Sequence, residues 1–300
     1  MRELIISKKN NGKKLSTILL SEYPGLTLNT LNKAYRKKDI RVNGVKISEN
    51  TTVFENDKIT IYITDEYLYK NSNISVCDLI VYEDDNIIVL NKPSGICVQS
   101  DTNNEVSLEA LLTNYADGKY IAKPCHRLDR NTCGLVIFAK NNIALEELLY
   151  CFKERLIDKY YLCKVYGILK EKNKLLKHYL FKDSQKNIVN ISDKKLKGYE
   201  EIQTKYLVKS ENKAENTSIL EVELLTGKTH QIRAHLAYIG FPIIGDGKYG
   251  NGNINKKFKQ KTQLLFAYKV VFHTKDLNLL SYLNEKEISI TVSFNWQKII

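Results

Sequence analysis

Residues 126–139 read HRLDRNTCGLVIFA, a polar loop followed by an unbroken apolar run. The run Leu135–Ala139 predicts a buried strand. In the loop before it, Asp129 lies between two arginines, and Gly134 permits a sharp backbone turn. A carboxylate on a loop that enters a central strand is held firmly and remains accessible, so Asp129 is a candidate catalytic residue. The alternative is an ordinary ion pair on the surface.

Three further segments carry recognisable patterns: residues 81–95 form a predicted hairpin that ends in Lys-Pro-Ser-Gly, residues 159–167 read KYYLCKVYG, and residues 225–246 read LTGKTHQIRAHLAYIGFPIIGD. With the loop at Asp129, these segments resemble the motifs of the RluA-type pseudouridine synthases. The loop motif of that family is usually written H-R-L-D-x-x-T-S-G, and another of its motifs contains G-R-x-H-Q-I-R-x-H-L. Cys133 and Lys228 depart from the usual serine and arginine.

The resemblance implies an enzyme that isomerises uridine to pseudouridine in RNA without redox change or cofactor. It implies that Asp129 is the catalytic carboxylate, acting as a nucleophile or as a base, and that Arg233 pairs with it. Tyr161 would stack on the base and help to remove the C5 proton, which requires a neighbouring cation to lower its pKa. Arg127 would fill the space left by the flipped-out base, and Lys92 would have a structural role in one wall of the cleft.

The first 64 residues predict a small separate domain. Helical spacing is found in residues 15–23 and 28–38, Asn43-Gly44 is typical of a tight hairpin, and Ile59, Ile61 and Ile63 alternate as in a strand. This order resembles the alpha-L RNA-binding module of ribosomal proteins. The resemblance implies that a basic helix face and the hairpin bind RNA through Lys33, Arg36, Lys37, Lys38 and Arg41. A solvated charged face is the alternative reading.

We therefore expect an α+β protein: an alpha-L domain at 1–64, a linker at 65–76, and a catalytic domain at 77–300 with a large, mainly antiparallel sheet, flanking helices and a central cleft. Predicted strands cover residues 79–82, 87–91, 135–139, 161–166, 218–225 and 287–294. Predicted helices cover 142–156, with Leu145, Leu148, Leu149, Phe152 and Leu156 inward, and 230–239, with Ile232, Leu236 and Ile239 inward. The lysine-rich segment 170–197 is expected to be a hairpin or an insertion.

The chain has 46 Lys and Arg residues and 34 Asp and Glu residues, which gives a net charge of +12. This excess of positive charge favours a polyanionic partner. Structured ribosomal RNA of the large subunit is the expected substrate and partner, with transfer RNA as an alternative, and a monomer is expected. The six cysteines show no metal-binding spacing, so a reducing cytoplasm and no bound metal are expected. His230 and His235 are five positions apart, which favours helix capping or core hydrogen bonding. We predict no secretory signal and no membrane span.

Two other functions are consistent with parts of this pattern. A catalytically silent RNA-binding or ribosome-assembly factor would bind RNA independently of Asp129. A thiol enzyme would use Cys133 with His126 or His230, and needs a lowered thiol pKa. The combination of Asp129, Tyr161 and Arg233 favours the synthase.

Overall fold

The computed structural model describes residues 2–23, 25–26, 28–63, 74–99 and 107–292, and it divides into two compact units. The first unit contains the described residues up to Asp78 together with Ser107, and the second contains residues 79–99 and those from Leu108 onward. Most of the predicted linker, residues 65–73, lies outside the described residues, as do residues 293 and 294 of the last predicted strand.

The first unit contains two helices and short strands. The strands are β1 (Arg2–Ile5), β2 (Lys13–Lys14), β3 (Ile40–Val42), β4 (Val45–Ile47), β5 (Thr52–Val53) and β6 (Lys58–Ile61). The helices are α1 (Leu15–Glu22) and α2 (Leu28–Lys37), with a 3-10 turn at Lys8–Asn10. Another 3-10 turn, Val76–Leu79, includes the last residues of this unit and the first residue of the second. One sheet has the order β1-β6-β3-β4, and β2 pairs with β5.

The predicted pattern of this unit is confirmed. In the two stretches with helical spacing, the buried side chains include Leu15, Ile18, Leu19, Tyr23, Leu31, Ala34 and Tyr35. Strands β3 and β4 pair antiparallel around Asn43 and Gly44, which have φ angles of 50° and 82°. These positive φ angles are what a two-residue hairpin requires, and Asn and Gly adopt them at low cost.

The second unit is built on one sheet of 11 strands. They are β7 (Ile80–Glu83), β8 (Ile87–Lys92), β9 (Lys123–Pro124), β10 (Cys133–Ala139), β11 (Ile157–Tyr166), β12 (Asn173–Asp183), β13 (Ile188–Ser192), β14 (Glu200–Asn212), β15 (Thr217–Leu224), β16 (Leu265–Phe272) and β17 (Glu287–Ser289). The order is β13-β12-β14-β15-β11-β16-β10-β8-β7, with β17 against β16 and β9 against β10. Only the β10–β16 pair is parallel among the described strands, so the predicted α+β class with a mainly antiparallel sheet is confirmed.

Four helices accompany this sheet: α3 (Leu108–Ala116), α4 (Asn142–Glu154), α5 (Gln231–Tyr238) and α6 (Gly252–Lys257), with a 3-10 turn at Ser281–Leu283. Helix α4 begins at Asn141, whose side chain accepts a hydrogen bond from the Ala144 amide, a common N-cap. The inward face predicted for α4 is wrong at Leu149, which is 48% exposed. The neighbouring Leu148 is buried, and one residue farther along turns the side chain about 100° away from the core.

The lysine-rich segment 170–197 is a hairpin of β12 and β13, as one of the two predictions had it. In the second unit, strands β9, β14 and β16 and helices α3 and α6 were not predicted. Among the described residues, no helix is both long enough and apolar enough to cross a membrane.

Gly134 allows the two central strands to approach closely. Its φ angle is 111°, and a Cβ atom added there would lie 2.1 Å from the carbonyl oxygen of Ala267 in β16. We expect Gly134→Ala to lower the free energy of unfolding by on the order of 3 kcal/mol, because a backbone clash adds to the cost of a positive φ. Urea unfolding measures this change.

Gly118→Ala is the matched control, since Gly118 also has a positive φ of 75° but no atom within 4 Å of an added Cβ. Equal losses of stability in the two variants would contradict the close approach of β10 and β16.

Candidate active site

A buried lysine, Lys92, holds the loop that carries Asp129 in place. Lys92 is fully buried at the end of β8, and its ammonium donates hydrogen bonds to the carbonyl oxygens of Pro93 (3.0 Å), Ile96 (2.7 Å) and Arg130 (2.7 Å). Burial lowers the pKa of Lys92 to about 8, so at neutral pH it stays protonated and can donate all three bonds. These contacts agree with the structural role expected for this residue.

We expect Lys92→Met to lower the free energy of unfolding by about 3 kcal/mol, because three carbonyl oxygens lose the hydrogen bond from the buried ammonium at once. The loop should also loosen, which hydrogen exchange would detect at the Gly95 amide that donates to the Arg130 carbonyl. Lys140→Met is the control: it removes a partly exposed ion pair with Glu83, away from the loop. Unchanged protection of Gly95 in Lys92→Met would show that Lys92 does not hold the loop.

Asp129 contacts a guanidinium that comes from helix α5. Arg233 Nη1 donates to Asp129 Oδ2 at 2.7 Å, across 104 positions of the sequence. The side chain of Asp129 is 27% exposed, and no described residue donates a hydrogen bond to its Oδ1 atom. The structure thus brings together the two residues that were expected to pair, and it leaves one carboxylate oxygen available.

Arg233 is held on its other side by a second carboxylate, which the sequence reasoning missed. Its Nε and Nη2 atoms donate to Asp246 Oδ2 (2.6 Å) and Oδ1 (2.9 Å). Asp246 is buried and also accepts hydrogen bonds from the amides of Lys248 and Tyr249. Burial disfavours the charge on Arg233, but Asp246 and then Asp129 raise its pKa above the ordinary value. The guanidinium is therefore a charged bridge between two carboxylates.

Helix α5 is anchored so that Arg233 is buried. Gln231 accepts hydrogen bonds at Oε1 from the Thr226 hydroxyl (2.9 Å) and the Lys228 amide (3.0 Å), and donates from Nε2 to Thr204. Ile232 and Leu236 are buried as predicted, and Ile239 is half-buried. His235 forms the expected core hydrogen bonds, with Thr204 Oγ1 at 2.9 Å and His178 Nδ1 at 2.6 Å.

Tyr161 lies on β11, which is separated from β10 by β16 in the sheet. It is buried, and the pairing of β11 with β16 shifts register between Tyr160 and Tyr161. Tyr161 lines a cavity of about 610 Å³ with Asp129 and Arg233, whereas Tyr160 does not. We call this space the Tyr161 cavity. The lowered pKa required for proton exchange is not found: burial, and then the charge of Asp129, raise the pKa of Tyr161.

A second cavity of about 580 Å³ also includes Asp129 and Arg233 in its lining. Its other walls include Lys182 and Asn187 of the β12–β13 hairpin and Lys248 and Lys261 of the segments that follow α5. We call this space the Lys261 cavity. The exposed side chain of Arg127 lines both cavities.

His230 lies beside Asp129, which the sequence reasoning did not predict. Its Nε2 atom is 3.9 Å from Asp129 Oδ1, and its Nδ1 atom is 2.9 Å from the hydroxyl of Tyr249. Of the two expected roles, helix capping or core hydrogen bonding, the structure shows the second: His230 is the residue before α5, its side chain makes no cap hydrogen bond, and its ring contacts the Tyr249 hydroxyl. His230 has a φ of 53°, and the left-handed backbone turns its ring to the cavities. His230 lies within a motif that resembles the synthase family, but the resemblance assigned it no role. No signal in the neighbouring sequence indicated its contact with Tyr249.

The thiol hypothesis finds no support here. Cys133 is buried at the start of β10, and burial raises the pKa of its thiol. The ring of His126 is occupied, because Nε2 accepts a hydrogen bond from the Ile137 amide, and burial lowers the pKa of His126 to about 3. A thiolate nucleophile needs the opposite shift.

The basic residues predicted to bind RNA lie in the first unit. Lys33, Arg36, Lys37 and Lys38 are exposed on α2 and directly after it. Arg41 is half-buried on β3, and its guanidinium lies 4.9 Å from the ring centre of Tyr62. Three of the five residues therefore form an exposed basic helix face, Lys38 is exposed directly after the helix, and Arg41 is partly occupied by stacking. Among the described residues, no group of three or more His, Cys, Asp or Glu side chains could hold a metal ion.

Comparisons with known proteins indicate the family of this chain. Residues 86–238, which include Asp129, Tyr161 and Arg233, match the family described as RNA pseudouridylate synthase. The chain is 32% identical over 257 residues to ribosomal large subunit pseudouridine synthase C of Rickettsia bellii, covering 80% of this chain and 84% of that protein. It is 30% identical over 287 residues to an uncharacterized RNA pseudouridine synthase of Mycoplasma genitalium, covering 90% and 88% of the two chains.

Among solved structures, human RNA Pseudouridylate Synthase Domain Containing 1 superposes with a TM-score of 0.57 at 23% identity. The match covers 73% of this chain and 91% of the human one, and it shows a shared fold.

Proposed function

We propose that this chain, which belongs to the RNA pseudouridylate synthase family, isomerises uridine in ribosomal large-subunit RNA with Asp129 as its catalytic carboxylate. The observation that carries the proposal is the 2.7 Å contact between Asp129 and Arg233 on the wall of a cavity that also contains Tyr161. The name of the Rickettsia relative supports the large ribosomal subunit as the source of the RNA.

The reaction is an isomerisation, so substrate and product contain the same atoms, and it needs one carboxylate. The bond from ribose C1′ to uracil N1 breaks, the base rotates, a bond from C1′ to C5 forms, C5 loses its proton and N1 gains one. Asp129 acts as a nucleophile on the sugar or the base, or as the base that removes a ribose proton. Both roles need a carboxylate that is fixed in position and has an oxygen free to react, and Asp129 meets this need because Arg233 holds only Oδ2.

We assign Tyr161 to the support of the uracil ring. An apolar aromatic face can stack on a base, and Tyr161 lines the same cavity as Leu265 and Ile232. Its raised pKa keeps the phenol protonated in the free protein. Burial is the larger cause of this shift, so a part in the removal of the C5 proton requires a neighbouring cation in the RNA complex that lowers the pKa of Tyr161.

Arg127 is assigned to the space from which the base has left. A base in a helical stem is out of reach, so it must be flipped out at a cost of a few kcal/mol. Arg127 is exposed, adjoins Leu128 and Asp129 in the loop, and lines both cavities. A guanidinium can stack and hydrogen bond at the same time, which suits it to replace a base.

The first unit is proposed to be an alpha-L type RNA-binding domain. The exposed cations Lys33, Arg36, Lys37 and Lys38 support contacts to the RNA backbone, which add affinity without selecting a base. We further propose a monomer acting in the cytoplasm. Asp129, Tyr161 and Arg233 all come from one chain, and all six cysteines are free thiols, as expected in a reducing compartment.

Release of tritium from RNA labelled at uridine C5 tests the function directly, because the C5 hydrogen is lost only when the new bond forms. We expect release from large-subunit ribosomal RNA and none from transfer RNA. Release from transfer RNA alone would overturn the assigned substrate, and no release from either RNA would overturn the activity. Mapping of the pseudouridines in the product identifies the modified uridine.

A further inference from the structure

The two cavities that meet at Asp129 differ in charge. The Tyr161 cavity is lined by six Lys and Arg side chains and three carboxylates. The Lys261 cavity is lined by seven Lys and Arg side chains and one carboxylate, that of Asp129. The excess of positive charge is therefore greater on the side of the Lys261 cavity.

Several of these cations have no carboxylate partner. Lys228 is paired with Glu200, and Arg233 with Asp129 and Asp246. The other cations include Arg127, Lys182, Lys248 and Lys261, which are exposed and form no ion pair with any described carboxylate. By contrast, Lys186 in the turn of the same β12–β13 hairpin pairs with Asp183. Like charges that face one space without counterions raise its affinity for an anion.

The walls of the Lys261 cavity are tied together by hydrogen bonds. Lys248 Nζ donates to the carbonyl oxygen of Asn187 at 2.6 Å, and the Val189 amide donates to the hydroxyl of Tyr249 at 2.8 Å. The hairpin also packs on helix α5, since Leu180, Val189 and Ala234 share one buried cluster. Because α5 carries Arg233, the hairpin and the catalytic carboxylate belong to one connected framework.

We propose that the Lys261 cavity binds the RNA backbone phosphates next to the flipped uridine, with Lys182 and Lys261 as their main cationic contacts. The inference rests on the proposed function. A nucleotide whose sugar reaches Asp129 carries a phosphate on each side, within one nucleotide of that carboxylate. The Lys261 cavity adjoins Asp129 and has the larger positive excess, so it is the more favourable place for this charge.

This assignment gives the β12–β13 hairpin a role that no motif suggested. Lys182 on β12 and Asn187 in the turn make it one wall of the substrate site. Phosphate contacts fix the register of an RNA strand without reading its bases. The hairpin therefore acts by placing the uridine sugar against Asp129.

The test uses the full chain and the double variant Lys182→Gln/Lys261→Gln. We expect about a tenfold rise in KM for tritium release, with kcat within about twofold of wild type. The slope of log Kd against log salt should fall by about 0.7 for each phosphate that the variant no longer neutralises. The charge-preserving double variant Lys182→Arg/Lys261→Arg should keep the wild-type slope.

The matched control is Lys177→Gln/Lys256→Gln. Lys177 is exposed on the same strand as Lys182 but on its opposite face, and neither Lys177 nor Lys256 lines either cavity. Identical KM values and salt slopes in the test and control variants would overturn the proposal. So would a loss of kcat at unchanged KM. Failure of the proposed function itself looks different, because then the wild-type protein releases no tritium.

A second readout locates the contact on the RNA. Once the modified uridine is mapped, a single uncharged methylphosphonate is placed at the linkage on its 5′ or 3′ side. Wild-type protein should bind at least one of these RNAs more weakly, and the glutamine double variant should show little further loss. Such non-additivity indicates a shared contact. Fully additive losses on both sides would overturn the proposal.

Discussion

Asp129→Asn is expected to lower kcat for tritium release from C5-labelled uridine by roughly 10³-fold or more, while the protein stays folded and still binds RNA. The amide has the shape of the carboxylate but supplies neither a nucleophilic oxygen nor a base. Its oxygen can still accept the hydrogen bond from Arg233 Nη1, so the loop keeps its position. Asp246 continues to neutralise the guanidinium, which protects the fold.

Asp276→Asn serves as the matched control, since it makes the same chemical change at an exposed turn of the second unit. Circular dichroism and urea unfolding should give nearly the same stability for wild type and both variants, and the Kd for RNA should remain within about threefold. Turnover by Asp129→Asn at a tenth of the wild-type rate would remove Asp129 from the catalytic role. Normal stability with no product would support it.

Arg233→Lys is expected to lower kcat by about 10²-fold with a small change in KM, because displacement of a catalytic group by about 1 Å is enough for such a loss. The guanidinium donates hydrogen bonds to Asp246 through Nε and Nη2 and to Asp129 through Nη1. An ammonium is a compact point charge that cannot reproduce this fork. We expect lysine to stay with the buried Asp246 and to leave Asp129 without its partner.

The comparison variant Arg233→Gln separates position from charge. It leaves the buried carboxylate of Asp246 without a cation, so the free energy of unfolding should fall by about 3–5 kcal/mol. Arg233→Lys should be clearly more stable than Arg233→Gln, although both are poor catalysts. A lysine variant with wild-type kcat would show that the two-sided contact of Arg233 is not needed for the reaction.

The elements that the sequence predicted are those with a local cause. An unbroken apolar run predicted β10, helical spacing predicted α1, α2 and α5, and Asn43-Gly44 predicted the first hairpin; each depends on residues within a few positions of one another. Strand β16 was missed, although it lies between β10 and β11 and so joins the Asp129 loop to Tyr161. Its place in the centre of the sheet follows from pairing with distant strands.

The same division holds for the site. The motifs by themselves pointed to Asp129, Tyr161, Arg233 and Arg127, because the resemblance depends on residue types and their order. The tertiary structure alone showed Asp246 behind Arg233, His230 beside Asp129, and a raised rather than a lowered pKa for Tyr161. Charge, burial and hydrogen bonding depend on which groups are neighbours in space, and packing decides this between residues that are a hundred positions apart.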